Sequence, residues 1–122
     1  MSDENVRTMH ELSIAEHIVE IAVTHLQRDG ASRVREIELE IGTLSGIEID
    51  ALTFALDVVT KDTALRDATV HIQRVEGRSR CNSCGEEFAM EDFFSPCPSC
   101  GTFDSTVLQG EEMRVKSLLV HE

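Results

Sequence analysis

The alternation of apolar and polar positions divides the chain into helix, strand and one stretch that is neither. Ile14, Ala15, Ile18, Ala22 and Leu26 recur at three- and four-residue steps, which places them on one face of a helix. Ser13 followed by Glu16 has the spacing of a capping box, so this helix is expected to begin near residue 13, and Asp29-Gly30 ends it. Such a start leaves Met9, His10 and Glu11 just ahead of the helix, with backbone amides unspent on helical hydrogen bonds. Residues 34–41 alternate strictly, with Ile37, Leu39 and Ile41 on one side and Glu36, Glu38 and Glu40 on the other. That is the pattern of a strand with one wet face. Residues 42–46 read as a turn. Ser45 and Glu48 repeat the capping-box spacing, and Ile49, Leu52, Leu56 and Val59 give the stripe of a second helix. Residues 69–75 and 112–120 read as the second and third strands.

Residues 77–108 have a different composition, holding all four cysteines and both prolines. The expected fold is α+β, with two helices packed on a three-stranded sheet. A zinc-ribbon-like module is inserted between the second and third strands. The boundaries are 9–76 plus 109–122 for the helix-and-sheet part and 77–108 for the insert. Residues 1–8 are polar and read as a disordered N-terminal extension.

The cysteines are Cys81, Cys84, Cys97 and Cys100, two C-x-x-C pairs with twelve residues between them. Each pair makes a tight turn that aims two sulfurs at one point. Gly85 and Gly101 follow the pairs directly, where glycine lets the backbone turn back and donate N–H groups to sulfur. Two such turns form a tetrahedral four-sulfur cage, the geometry that zinc takes at ~2.3 Å. Two disulfides, thioredoxin-type redox chemistry and a rubredoxin-like iron cage are the competing readings. Disulfides are rare in a cytoplasmic chain, and the redox motif needs one C-x-x-C opening a helix. Zinc is preferred on spacing and compartment. Four thiolates leave it no open coordination position, so the site is structural.

The chain has 122 residues, enough for one compact domain or a domain with an insert, and 41% of them are hydrophobic. No apolar run approaches the ~20 residues that span a bilayer, and the polar start lacks the features of a signal peptide. A cytoplasmic protein without a membrane association is expected. The net charge of −12 repels phosphate backbones and sets nucleic acid aside as a partner. No nucleophile with an adjacent base, no phosphate loop and no open zinc position point to an enzyme. Of the five histidines, His17, His25, His71 and His121 read as surface residues, and His10 by itself would read the same way.

The surrounding sequence separates His10 from the others. The run from Met9 to Glu16, which opens Met-His-Glu, closely resembles the start of the HypA/HybF family of nickel metallochaperones in hydrogenase maturation. Ile41 to Glu48, Ala51-Leu52 and Phe54-Ala55 are similar to that family too. So are the cysteine module with Pro96 to Gly101 and the closing Arg114 to Leu118. The resemblance implies zinc on Cys81, Cys84, Cys97 and Cys100. It also implies a nickel site centred on His10, with Glu11 and the backbone or amine nitrogen of Met9. Residues 9–76 plus 109–122 would be the nickel-binding domain and 77–108 the zinc-binding domain. The implied task is to pass Ni(II), with a nickel-handling GTPase, to the hydrogenase large subunit, and in some organisms toward urease. The protein would act as a monomer or homodimer. Imidazole suits nickel, and the sulfurs suit zinc. Two features depart from the family pattern: eight residues precede Met9, and no histidine lies between Cys81 and Cys100. The competing functions are a zinc-ribbon adaptor without metal transfer and an iron electron-transfer protein.

Overall fold

The computed structural model describes residues 3–121, with side chains described from His10 onward. Two helices and six strands follow in the order α1 (Asp3–Asp29), β1 (Arg33–Gly42), α2 (Ile49–Val59), β2 (Thr69–Val75), β3 (Gly77–Cys81), β4 (Glu87–Met90), β5 (Ser105–Gln109) and β6 (Met113–His121). They form two three-stranded sheets, ordered β2-β1-β6 and β4-β3-β5. The second sheet lies in sequence between β2 and β6, as an insert should. No helix among the described residues is long and apolar enough to cross a membrane.

By compactness the chain divides into two units. One comprises Met1–Leu39, Glu48–His71 and Val115–Glu122; the other comprises Glu40–Ile47 and Ile72–Arg114.

In the first unit, α1 packs against α2. Ala15, Ile18, Ala22 and Leu26 of α1 are buried, as are Leu52, Ala55 and Leu56 of α2 and Ile37 and Leu39 of β1. The start of α1 differs from expectation. The helix runs back through residues 9–12 to Asp3, because no glycine or proline interrupts residues 3–29. Ser13 and Glu16, which have the spacing of a helix start, lie exposed inside it. The start of α2 differs as well. Its N-cap is Glu48, whose carboxylate accepts the Asp50 N–H at 3.0 Å. Ser45 instead closes the preceding turn by accepting the Ile47 N–H at 3.2 Å. On the wet face of β1, Glu36 meets His71 at 2.8 Å and Glu38 meets Lys116 at 3.5 Å.

The second unit has its own core of Leu44, Cys81, Phe88, Met90 and Cys97, with Val107 against it. Leu44 enters from the turn that follows β1. The backbones come close here: Leu44 N–H donates to Gly110 O at 2.8 Å, and Gly42 N–H donates to Glu112 O at 2.7 Å. A Cβ on Gly110 would lie 2.5 Å from Gly77 Cα, and Gly110 has φ 116, so glycine is required on both counts.

Candidate metal centre

Both cysteine pairs sit on turns that the backbone itself builds. Gly85 N–H returns to Cys81 O at 2.9 Å, and Gly101 N–H returns to Cys97 O at 2.8 Å. Gly85 at φ 79 and Gly101 at φ 75 occupy the left-handed region that such a return needs. Cys81 closes β3 and Cys97 N–H is held by Thr102 O at 2.9 Å, so each first cysteine is buried while Cys84 and Cys100 stay exposed.

The four sulfurs lie within 4.8 Å of one another. Cys81 Sγ is 3.4 Å from Cys100 Sγ, and Cys84 Sγ is 3.6 Å from Cys97 Sγ. Sulfurs at ~2.3 Å from a tetrahedral zinc stand ~3.8 Å apart, so the cage has the size of the ion's coordination sphere. Both sulfur–sulfur distances exceed a disulfide bond of ~2.04 Å, and all four cysteines are free, which sets the disulfide reading aside. Neither C-x-x-C opens a helix, so the thioredoxin geometry is absent among the described residues.

The electrostatics also fit a cation. The Cys84 N–H, 3.4 Å from Cys81 Sγ, pulls Cys81 down to about 6 against desolvation. For Cys84, the Glu86 N–H pulls down, but desolvation and the sulfurs of Cys81, Cys97 and Cys100 outweigh it and push the thiol up to about 12. Cys100 is held down by the Thr102 N–H, yet Cys81 and desolvation leave it raised. The Cys81 thiolate forms easily, and the crowd of sulfurs resists ionisation of Cys84 and Cys100. A divalent ion supplies the positive charge that lets all four ionise. The residues present therefore fit a closed tetrathiolate metal site.

The Met9-His10-Glu11 segment lies on α1. The side chain of Met9 is outside the described residues. His10 is exposed. Glu11 is buried at 1% exposure, and its Oε1 accepts the Glu48 N–H at 3.0 Å. Its Oε2 is buried without a hydrogen-bond partner among the described residues. The expectation that the Met9, His10 and Glu11 amides are free fails, because all three residues lie inside the helix, past the first four N–H groups that a helix leaves unpaired. The sequence reading also missed Glu48. The sequence carried only part of the signal: Glu11 continues the buried stripe of Ala15, Ile18, Ala22 and Leu26 one turn backward, which marks its face but not its partner. His17, His25, His71 and His121 are exposed, as read.

Helices on one sheet with a second, cysteine-bearing sheet inserted define an α+β metal-binding protein with a zinc-ribbon-like module. The family model described as hydrogenase/urease nickel incorporation, metallochaperone, hypA, matches residues 9–120. The chain belongs to this family. It is 46% identical over 112 residues to the hydrogenase maturation factor HypA of Geobacter metallireducens, covering 92% of this chain and 99% of that one. The HypA of Parabacteroides distasonis is 47% identical over 112 residues, covering 92% and 97%. The fold is similar to the solution structure of the Ni metallochaperone HypA from Helicobacter pylori, at TM-score 0.65 and 20% identity, covering 90% of this chain and 96% of that one. A second solution structure of a HypA protein matches at TM-score 0.67 and 23% identity, covering 93% and 97%.

Proposed function

We propose that this chain carries Ni(II) to nickel-iron hydrogenase during maturation of that enzyme, and that it does so as a carrier in the cytoplasm and not as a catalyst. The observation that carries the reading is the family match over residues 9–120, which takes in both the Met9-His10-Glu11 segment and the cysteine cage. Zinc is the ion assigned to Cys81, Cys84, Cys97 and Cys100, where four thiolates close its coordination. Nickel is the cargo. It is assigned to His10, with Glu11 as a further ligand, because imidazole and carboxylate donors suit a labile Ni(II); Met9 lies inside α1, where its backbone nitrogen is committed to the helix. The nickel function belongs to the domain of residues 9–76 plus 109–122, and the zinc to residues 77–108.

The client is the hydrogenase large subunit, and urease is the second client to test, since the family description names both enzymes. A nickel-handling GTPase is the partner. Its docking surface is assigned to α1 and α2, where Leu12, Phe54 and Val58 are exposed apolar side chains. Nickel titration of the zinc-loaded chain tests the carrier reading. One labile Ni(II) per chain is expected, lost in His10→Ala without loss of fold. Equal nickel binding by His10→Ala removes the main support and favours an adaptor that moves no metal. An iron-coloured cage in purified protein favours electron transfer instead.

A further inference from the structure

The two oxygens of Glu11 are in unequal positions. Oε1 holds the Glu48 N–H at 3.0 Å, and Oε2 is closed off from solvent with no partner among the described residues. A carboxylate with one buried orphan oxygen is under-satisfied, and it gains by moving to any site that serves both oxygens. His10, the preceding residue on α1, is exposed. Successive helical residues point ~100° apart, so one ion cannot touch an outward imidazole and an enclosed Oε2 together. An ion shared by the two residues must draw the carboxylate outward. Moving it outward breaks the bond to the Glu48 amide.

We propose that Glu11 is a two-position latch. In the empty protein its carboxylate fastens the first turn of α2 to α1 through the Glu48 amide. In the loaded protein the same carboxylate turns out to the nickel beside His10 and leaves that amide free. The inference rests on the reading of His10 and Glu11 as nickel ligands. Glu48 can lose Glu11 without α2 unravelling, because its own carboxylate still caps the helix at the Asp50 N–H. The latch also supplies a means of release. Pressing the start of α2 back onto α1 re-forms the Glu48 bond and withdraws a ligand from the metal, so the amide and the nickel compete for one carboxylate.

Amide hydrogen exchange on the full zinc-loaded chain, with and without saturating Ni(II), tests the latch. Exchange at Glu48 is expected to speed up roughly ten- to a hundredfold on nickel loading, the size of effect that losing one hydrogen bond to a carboxylate brings. The Asp50 amide should stay protected. Glu11→Gln keeps a carbonyl oxygen for the Glu48 N–H, so its Glu48 amide should be slow in the empty protein and should not respond to nickel. If nickel binds the parent chain and Glu48 exchange is unchanged or slower, the latch is wrong and the carrier reading stands. If Glu11→Gln shows the same acceleration as the parent, Glu11 is not the latch. If the parent chain binds no nickel, the carrier reading falls and the latch falls with it.

Discussion

Replacing Leu44 with alanine tests how far the cysteine unit depends on a side chain that lies outside the cysteine segment. Leu44 is 6% exposed and shares a core with Cys81, Phe88, Met90 and Cys97. A Cβ on Gly77 would lie 2.8 Å from the Leu44 side chain, so the strand backbone already lies hard against it. Shortening it leaves a cavity bounded by backbone that cannot easily collapse, and buried leucine-to-alanine changes cost about 3 kcal/mol, within a range of ~2–5. If the metal leaves through opening of this unit, that loss raises the open population roughly a hundredfold. Zinc capture by a chromophoric chelator in dilute denaturant reads the release rate directly. Leu44→Met conserves volume and should behave almost as the parent does. The helical far-ultraviolet signal should survive in both variants, because α1 and α2 are built on other side chains. Unchanged zinc release in Leu44→Ala, with the fold intact, would refute the reasoning: the cage would then be held by its own turns and not by the core beneath it.

Cys97→Ala removes a buried sulfur and should abolish stoichiometric zinc while α1 and α2 persist, as metal analysis and circular dichroism will read. Cys84 and Cys100 are both raised, so at pH 7 both carry protons in the empty cage and zinc must displace them. Zinc binding at pH 7 should therefore release at least the two protons of Cys84 and Cys100, and affinity should fall as pH drops; calorimetry in buffers of different ionisation enthalpy counts them, and a smaller count contradicts the pattern. Gly110→Ala forces a side chain onto φ 116 and to 2.5 Å from Gly77 Cα, and should destabilise the cysteine unit by more than ~2 kcal/mol in denaturant melts.

The elements with a clean period were legible in the sequence. The stripe of Ala15, Ile18, Ala22 and Leu26 and the alternation of Ile37, Leu39 and Ile41 both became buried faces. The four-cysteine cluster was legible because C-x-x-C-G fixes a turn locally, without help from the rest of the fold. Helix starts were not. Ser13 and Glu16 match a capping box, but a capping residue only favours a start, and nothing upstream breaks the helix. The strands β3, β4 and β5 have five, four and five residues, too short for alternation to stand out from polar loop. The burial of Glu11 was hidden because a carboxylate on an apolar stripe reads as an interruption. Only the partner that satisfies it, an amide 37 residues further along, makes burial tolerable.

The cysteine cage and the proposed nickel site answer opposite physical requirements. The cage gains its hold by closing: four sulfurs saturate a tetrahedral ion, backbone N–H groups aim at the sulfurs, and Cys81 and Cys97 are buried in the core. An ion held that way leaves only when the unit opens, which suits structure and defeats transfer. A carrier needs the reverse, a site whose ligands have somewhere else to go. Glu11 has such an alternative in the Glu48 amide, and its second oxygen gives it a reason to exchange one for the other. On the proposed latch, nickel affinity would be lowered by the free energy of the bond that loading breaks, a hydrogen bond to a charged group of about 1.5–3 kcal/mol. A partner that presses on α2 would then change nickel affinity through the Glu48 turn, since any force that favours the closed turn favours the empty site by the same amount.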